Sequence, residues 1–142
     1  MAVYYGAQMT KIRNTTPPTQ AEAADVGGRV RCFNETVTLA TQTTSDTIEI
    51  GILPEGARFL YGIYNSTVSL GGTATIAIGI SGSTAKYLAA TAYTATNTPT
   101  LFGKTAAVGV KLTAQEIVFI TIAAASLPAS GTVNIQLFYT VD

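Results

Sequence analysis

Apolar residues alternate with small or polar residues through most of this chain after residue 28, and this period of two constrains the fold more than any other feature. The pattern is clear in residues 46–53, 73–80, 108–112 and 132–141, where an apolar side chain recurs at every second position. Successive side chains of a β-strand point to opposite faces of the sheet. Alternation of this kind is therefore typical of half-buried antiparallel strands, and we predict a strand in each segment.

Further strands are predicted at residues 29–39, 58–69 and 116–124, which brings the total to seven or eight. Turn-forming residues such as Gly71-Gly72 separate them. Residues 86–95 could form a helix, although their Thr and Tyr content makes a long connection equally compatible. We find no internal repeat of fixed period. The sequence therefore predicts an all-β fold, an antiparallel β-sandwich of jelly-roll or Greek-key type.

The first 28 residues lack this alternation. Pro17-Pro18 interrupts any regular element, and Gly27-Gly28 forms a hinge before the first strand. We therefore predict two parts, an extended N-terminal arm of residues 1–28 and a β-sandwich domain of residues 29–142. The arm has at most one helical turn, near residues 19–24. It lies across either its own domain or a neighbouring subunit, and the sequence supports both equally.

Composition argues against several classes of function. The 142 residues include no His, so neither a Ser–His nor a Cys–His nucleophile pair can form. Carboxylates are scattered singly, so we expect no enzymatic activity, no cofactor and no metal; a calcium ion between Asp46 and Glu49, or at Glu116, is the alternative. Eight basic residues balance eight acidic ones, which argues against a nucleic-acid partner. No apolar run approaches the roughly 20 residues of a membrane-spanning helix, so we expect no membrane partner either.

The weakly charged surface favours association with other proteins. Only 11% of the residues are charged and the formal net charge is zero, so copies repel each other weakly. Tyrosine and arginine are enriched at protein interfaces because they combine large contact areas with polar groups. The candidate interface residues are Tyr4, Tyr5, Arg13, Arg29, Arg31 and Arg58, and for the three arginines after residue 28 solvated edge charges are an equally good interpretation.

Two further expectations concern individual side chains. We expect additional aromatic surface from Tyr61, Tyr64, Tyr87 and Tyr93. The single cysteine, Cys32, is expected to be a small buried residue on a strand. It cannot form an internal disulfide, so cysteine usage indicates no redox compartment.

Several segments resemble those of known proteins. They are Leu-Pro-Glu-Gly-Ala-Arg at 53–58, the Gly-Gly-Thr strand at 71–79, Lys-Tyr-Leu-Ala-Ala at 86–90 and the terminal strand at 137–142. Over residues 46–142 the layout is similar to that of capsid cement (decoration) proteins of tailed bacteriophages. This resemblance implies a jelly-roll or related β-sandwich that forms homodimers or homotrimers and has no catalytic activity.

The resemblance also implies a function, a location and a partner. It implies a virion structural protein that binds the outer capsid surface and cements neighbouring major capsid protein subunits, and that is assembled in the cytoplasm of the bacterial host. The arm would contact adjacent subunits through Tyr4, Tyr5 and Arg13. Two alternatives remain open: a head-fibre, neck or receptor-binding tail component of the virion, and a carbohydrate-binding domain.

Overall fold

The computed structural model describes residues 2–13, 15–23 and 25–141. Within them, one short helix precedes eight strands. The elements are α1 (Ala7–Arg13), β1 (Val30–Thr38), β2 (Thr47–Leu53), β3 (Arg58–Ser66), β4 (Thr75–Ile80), β5 (Ser83–Thr91), β6 (Thr100–Phe102), β7 (Glu116–Ala123) and β8 (Thr132–Thr140). The helical residues described form no segment long and apolar enough to cross a membrane.

The strands form two antiparallel four-stranded sheets. Sheet A has the order β1-β8-β3-β6 and sheet B has the order β2-β7-β4-β5. Consecutive strands alternate between the two sheets, except that β4 and β5 form a hairpin within sheet B. This strand order is that of a jelly roll. The predicted all-β sandwich is therefore confirmed, with the jelly-roll order rather than another Greek-key order.

The core lies between the two sheets and is formed by the inward positions of the alternating strands. Each buried aliphatic side chain stabilises the fold by roughly 1.5–3 kcal/mol. β7 and β8 are inner strands of their sheets, and every second residue in each faces the core. Each strand therefore contributes three buried apolar residues. These residues are Val118, Ile120 and Ile122 of β7 and Val133, Ile135 and Leu137 of β8.

A bulge in β2 changes which side chains face the core. Its register against β7 shifts between Glu49 and Gly51, so one extra residue is accommodated there. After the bulge the phase is reversed: Leu53 is fully buried, whereas Ile52 is 44% exposed. The alternation in residues 46–53 predicts that Ile52 shares one face with Ile48 and Ile50. This prediction was wrong, because it assumes a regular strand without a bulge.

Two local predictions were also wrong, and one strand was not predicted. Residues 86–95 are neither a helix nor wholly a connection, because residues up to Thr91 belong to β5. Residues 108–112 form a turn at 108–109 and one isolated β-bridge, between Lys111 and Arg58, instead of a strand. Leu112 is buried, and its N–H donates to the Ala57 carbonyl at 2.8 Å. The three-residue strand β6 has no recognisable alternation in the sequence. Short edge elements of this kind depend on tertiary pairing, here with residues 62–64 of β3.

The helix of the N-terminal arm lies earlier than predicted. Within the predicted stretch near residues 19–24, residues 19–23 are not helical and Ala24 lies outside the described residues. The helix is α1, whose Ala, Gln, Met, Lys and Arg residues favour helix formation. Lys11 and Arg13 lie in its last turn, where cations interact favourably with the helix dipole.

Candidate interface

The N-terminal arm folds back on itself before it reaches the sandwich. Two side chains of α1 contact the segment that follows: Gln8 Nε2 donates to Asp25 Oδ2 at 2.8 Å, and Lys11 Nζ lies 3.5 Å from Glu22 Oε1. The Glu22 N–H donates in turn to Gln8 Oε1 at 3.0 Å. These contacts position two carboxylates, Glu22 and Asp25, side by side.

Arg58 joins these two carboxylates to the sandwich. Its Nη2 donates to Glu22 Oε2 at 3.3 Å, its Nε lies 3.1 Å from Asp25 Oδ1, and its Nη1 donates to the Gly109 carbonyl at 3.0 Å. Only 11% of the Arg58 side chain is exposed. The guanidinium fork suits this role because it presents several donors in one plane. Arg58 therefore anchors the arm to its own domain, and its partners Glu22 and Asp25 were not among the residues singled out from the sequence.

The route of the arm follows from these contacts. Arg58 begins β3 and is opposite Thr140 of β8, which is in turn opposite Val30 of β1. Asp25 is held at β3 and the chain returns to β1 at Val30, so residues 25–30 cross β8 on the outer face of sheet A. Thr140 is only 4% exposed, in agreement with this path. The second half of the arm is thus attached to its own domain through Glu22 and Asp25.

The first part of the arm presents side chains to solvent. Tyr4 is 92% exposed and Tyr5 is 40% exposed. Met9 and Ile12 of α1 are also exposed, and Arg13 is exposed at the end of the helix. Exposed aromatic and aliphatic groups that lie close together along one segment are typical of protein-interaction sites.

The other predicted interface residues lie around β1. Arg29 and Arg31 are both exposed, and Arg31 shares a strand face with Phe33. Cys32, expected to be buried, is instead exposed. The reason is that β1 is the edge strand of sheet A and Cys32 points to the outer face, next to Phe138 of β8. The structure therefore separates the six candidate residues into an arm group, an edge group and the anchor Arg58.

The tyrosines of the sandwich divide between surface and core. Tyr61 is exposed on the outer face of sheet A, where its ring stacks on Phe138 with centroids 4.7 Å apart. Tyr64 and Tyr87 are each only 1% exposed, so the expectation that they add aromatic surface was wrong. Tyr93 is half-buried and stacks on Tyr64 with centroids 4.1 Å apart.

One polar cluster lies at an end of the core. Lys86 and Tyr87 both donate to the carboxylate of Glu116. Burial raises the pKa of the Tyr87 hydroxyl, and its hydrogen bond to Glu116 and the negative charge of that group act in the same direction. Both oxygens of the Glu116 carboxylate therefore accept hydrogen bonds from side chains of the protein itself.

Other acidic and nucleophilic residues serve local structure. Asp46 caps a turn by accepting from the Thr43 N–H at 2.7 Å, and this hydrogen bond lowers its pKa. Ser81 lies in the turn of the hairpin between β4 and β5. In the described part of the chain, no three His, Cys, Asp or Glu side chains come together as a metal site.

Comparison with known proteins supports the fold. The chain matches no protein-family model and no curated protein. It is similar in structure to a chain of the capsid asymmetric unit of cyanophage Pam1, with 24% identity, a TM-score of 0.68 and coverage of 81% of this chain and 86% of that chain. A chain of the capsid of Ralstonia phage GP4 matches with 24% identity, a TM-score of 0.66 and the same coverage.

A third solved structure shares the fold at lower identity. A chain of the acidic stable capsid of Helicobacter pylori bacteriophage KHP30 matches with 12% identity and a TM-score of 0.60, covering 79% of this chain and 87% of that chain. At these identities the matches establish a shared jelly-roll architecture over about four fifths of the chain.

Proposed function

We propose that this protein is a structural component of a bacteriophage virion that binds the outer capsid surface and cements neighbouring major capsid protein subunits. The observation that carries the proposal is the structural similarity to chains of three phage capsids, each extending over about four fifths of this chain. The weakly charged surface and the exposed apolar arm support a role in protein–protein contact. The proposed role requires no catalysis.

The arm is the proposed contact with adjacent capsid subunits. Tyr4 and Tyr5 supply exposed rings, and Arg13 supplies a planar donor group at the end of α1. Because Arg58 holds the base of the arm, these side chains are presented from a fixed position, which lowers the entropic cost of binding. A protein that binds only the assembled lattice stabilises that lattice by mass action.

The proposal is tested by co-sedimentation of the purified chain with capsids that have been stripped of accessory proteins. We expect a bound copy number close to the number of major capsid protein subunits. The double variant Y4S/Y5S should bind about tenfold more weakly, because exposed tyrosines commonly contribute 1 kcal/mol or more at an interface. The matched control is I52S/I117S, since Ile52 and Ile117 form an exposed cross-strand pair on sheet B.

Other outcomes would contradict the proposal. A bound copy number of a few to tens per particle would favour a neck, head-fibre or tail component. No binding to capsids, together with binding to glycans on an array, would favour a carbohydrate-binding domain. Equal loss of binding in Y4S/Y5S and I52S/I117S would show that the arm has no special role.

A further inference from the structure

The free edge of β1 is the longest unpaired strand edge of sheet A in the described residues. β1 spans Val30–Thr38 and pairs with β8 on one side, whereas its other side has no strand beside it. The ion pairs of the arm's described residues join it to itself and to Arg58, and Val30, Arg31, Cys32 and Asn34 of β1 are exposed. An exposed edge presents a row of backbone donors and acceptors that can pair with another strand.

Local hydrogen bonds identify the backbone groups that face this edge. The Leu39 N–H donates to the Gly131 carbonyl, on the side of β8. The backbone N–H and C=O groups of odd-numbered residues in β1 therefore face β8. Those of even-numbered residues face the free edge. In agreement, the Thr36 N–H is capped by Glu35 Oε1 at 2.9 Å, and the Thr38 carbonyl accepts from Gln42 Nε2 at 2.9 Å. The backbone groups of Val30, Cys32 and Asn34 lie on the same side.

The side chains along β1 make this edge complementary to itself. Arg31, Phe33 and Glu35 lie on one face of the strand, with a cation and an anion placed symmetrically about the ring. When two copies of such a strand pair in antiparallel fashion about Phe33, Arg31 of each copy is opposite Glu35 of the other. Directly opposed residues in an antiparallel pair share a face, and opposite charges there are stabilising.

We propose that two copies of this chain associate through their β1 edges, antiparallel and centred on Phe33, so that the two copies of sheet A form one continuous eight-stranded sheet. Residues 30–36 of each copy pair, with Cys32 opposite Asn34 in the hydrogen-bonded positions. The Thr36 N–H then exchanges its Glu35 acceptor for the carbonyl of Val30 in the other copy, which releases Glu35 to pair with Arg31. Arg31 and Glu35 occupy the non-hydrogen-bonded positions, where side chains approach most closely. The zero net charge of the chain leaves little repulsion to oppose association.

The charges of Arg31 and Glu35 favour pairing centred on Phe33 over the two alternative strand registers, centred on Asn34 or Cys32. A two-residue shift that centres the pair on Asn34 places Phe33 opposite Glu35 and leaves both Arg31 side chains unpaired. The opposite shift, centred on Cys32, places Arg31 opposite Phe33 and shortens the paired stretch to residues 30–34. The Phe33 register satisfies both charges within β1 itself. This association does not depend on capsid binding.

Charge reversal tests the proposal directly. Dimer dissociation constants are measured by sedimentation velocity for the wild type, R31E, E35R and the double variant R31E/E35R. Each single variant places like charges opposite each other twice, and we expect about tenfold weaker dimerisation. The double variant restores opposite charges and should return to within about threefold of the wild type. K104E changes the net charge as R31E does, at an exposed residue outside β1, and should dimerise like the wild type.

Cysteine pairing tests the register. In N34C, native Cys32 of one copy is opposite the new cysteine of the other, at a separation suited to a disulfide. We expect N34C to form an oxidised dimer, whereas T38C, beyond the paired residues, and the wild type should not. A monomeric wild type, dimerisation unaffected by R31E and E35R, or efficient oxidation of wild-type Cys32 would each overturn the proposal. Capsid co-sedimentation of the same variants reports separately on the proposed function.

Discussion

Replacing Arg58 with alanine should release the N-terminal arm without unfolding the sandwich. The side chain makes two ion pairs with the arm, to Glu22 and Asp25, and one hydrogen bond to the Gly109 carbonyl. The two carboxylate side chains remain 38% and 27% exposed, so solvent screens them and we assign about 1 kcal/mol to each pair. A loss of about 2 kcal/mol from the attachment corresponds to roughly 30-fold more frequent opening of the arm.

Hydrogen exchange measures this opening. The Asp25 and Val26 N–H groups both donate to the Glu22 carbonyl, and their protection should fall by roughly 30-fold in R58A while that of β8 is retained. R58K retains the charge but loses the planar fork, so it should give an intermediate value. At 1 M salt, where the Debye length is about 3 Å, wild-type protection should approach that of R58A.

Two outcomes would refute the reasoning. Protection of Asp25 and Val26 that is unchanged in R58A would mean that contacts other than the guanidinium hold the arm. Equal loss of protection throughout the sandwich would mean that Arg58 stabilises the whole fold, chiefly through its hydrogen bond to Gly109. K104A, which removes an exposed cation from the loop after β6, is the control for a general effect of charge.

Two further predictions concern the stability of the sandwich. A Cβ at Gly79 would lie 2.2 Å from the Ser83 carbonyl oxygen, so G79A should destabilise the fold by about 2 kcal/mol or more. A Cβ at Gly72 would have no atom within 4 Å, so G72A should be close to neutral. The free energy of unfolding of both variants is measured in urea. Burial raises the pKa of Tyr64 to about 12 and also raises that of Tyr87. The unfolded chain then loses these protons first, near its reference pKa of about 10, so stability should fall as the pH rises above about 10, and less steeply in Y64F or Y87F. An identical urea midpoint for G79A and G72A, or an equally steep alkaline loss in the variants, would contradict these expectations.

Much of the fold could be predicted from the sequence because most strands are half-buried and regular. Alternation located β4 and β8 to within a few residues. It failed where the backbone departs from a regular strand. The bulge in β2 exposes Ile52, since an extra residue reverses the phase without leaving a trace in the pattern of apolar residues.

The remaining errors arose where tertiary contacts outweigh local preference. Residues 108–112 alternate as a strand would, but they form a turn followed by one isolated β-bridge to Arg58. The Gly109 N–H donates to β3, and the Leu112 N–H donates to the residue before that strand. Residues 86–91 are strand because they pair with β4. The Arg58 anchor could not be foreseen, because its acidic partners lie 33 or more residues away, in a segment without recognisable structure.

The arm and the free edge of β1 lie in different places, so one subunit can use the arm for one contact and the β1 edge for another. The arm ends at residue 28 and β1 begins at Val30, so the two surfaces are adjacent in sequence, but the arm turns away toward Arg58 at the start of β3. The free edge of β1 therefore remains accessible while the arm is anchored. In the proposed dimer, the two-fold axis at Phe33 places the two arms on the same outer face of the joined sheet, one on each side of the axis. A single face would then present two sets of Tyr4, Tyr5 and Arg13 to a surface, and binding through both arms would gain avidity without any further contact.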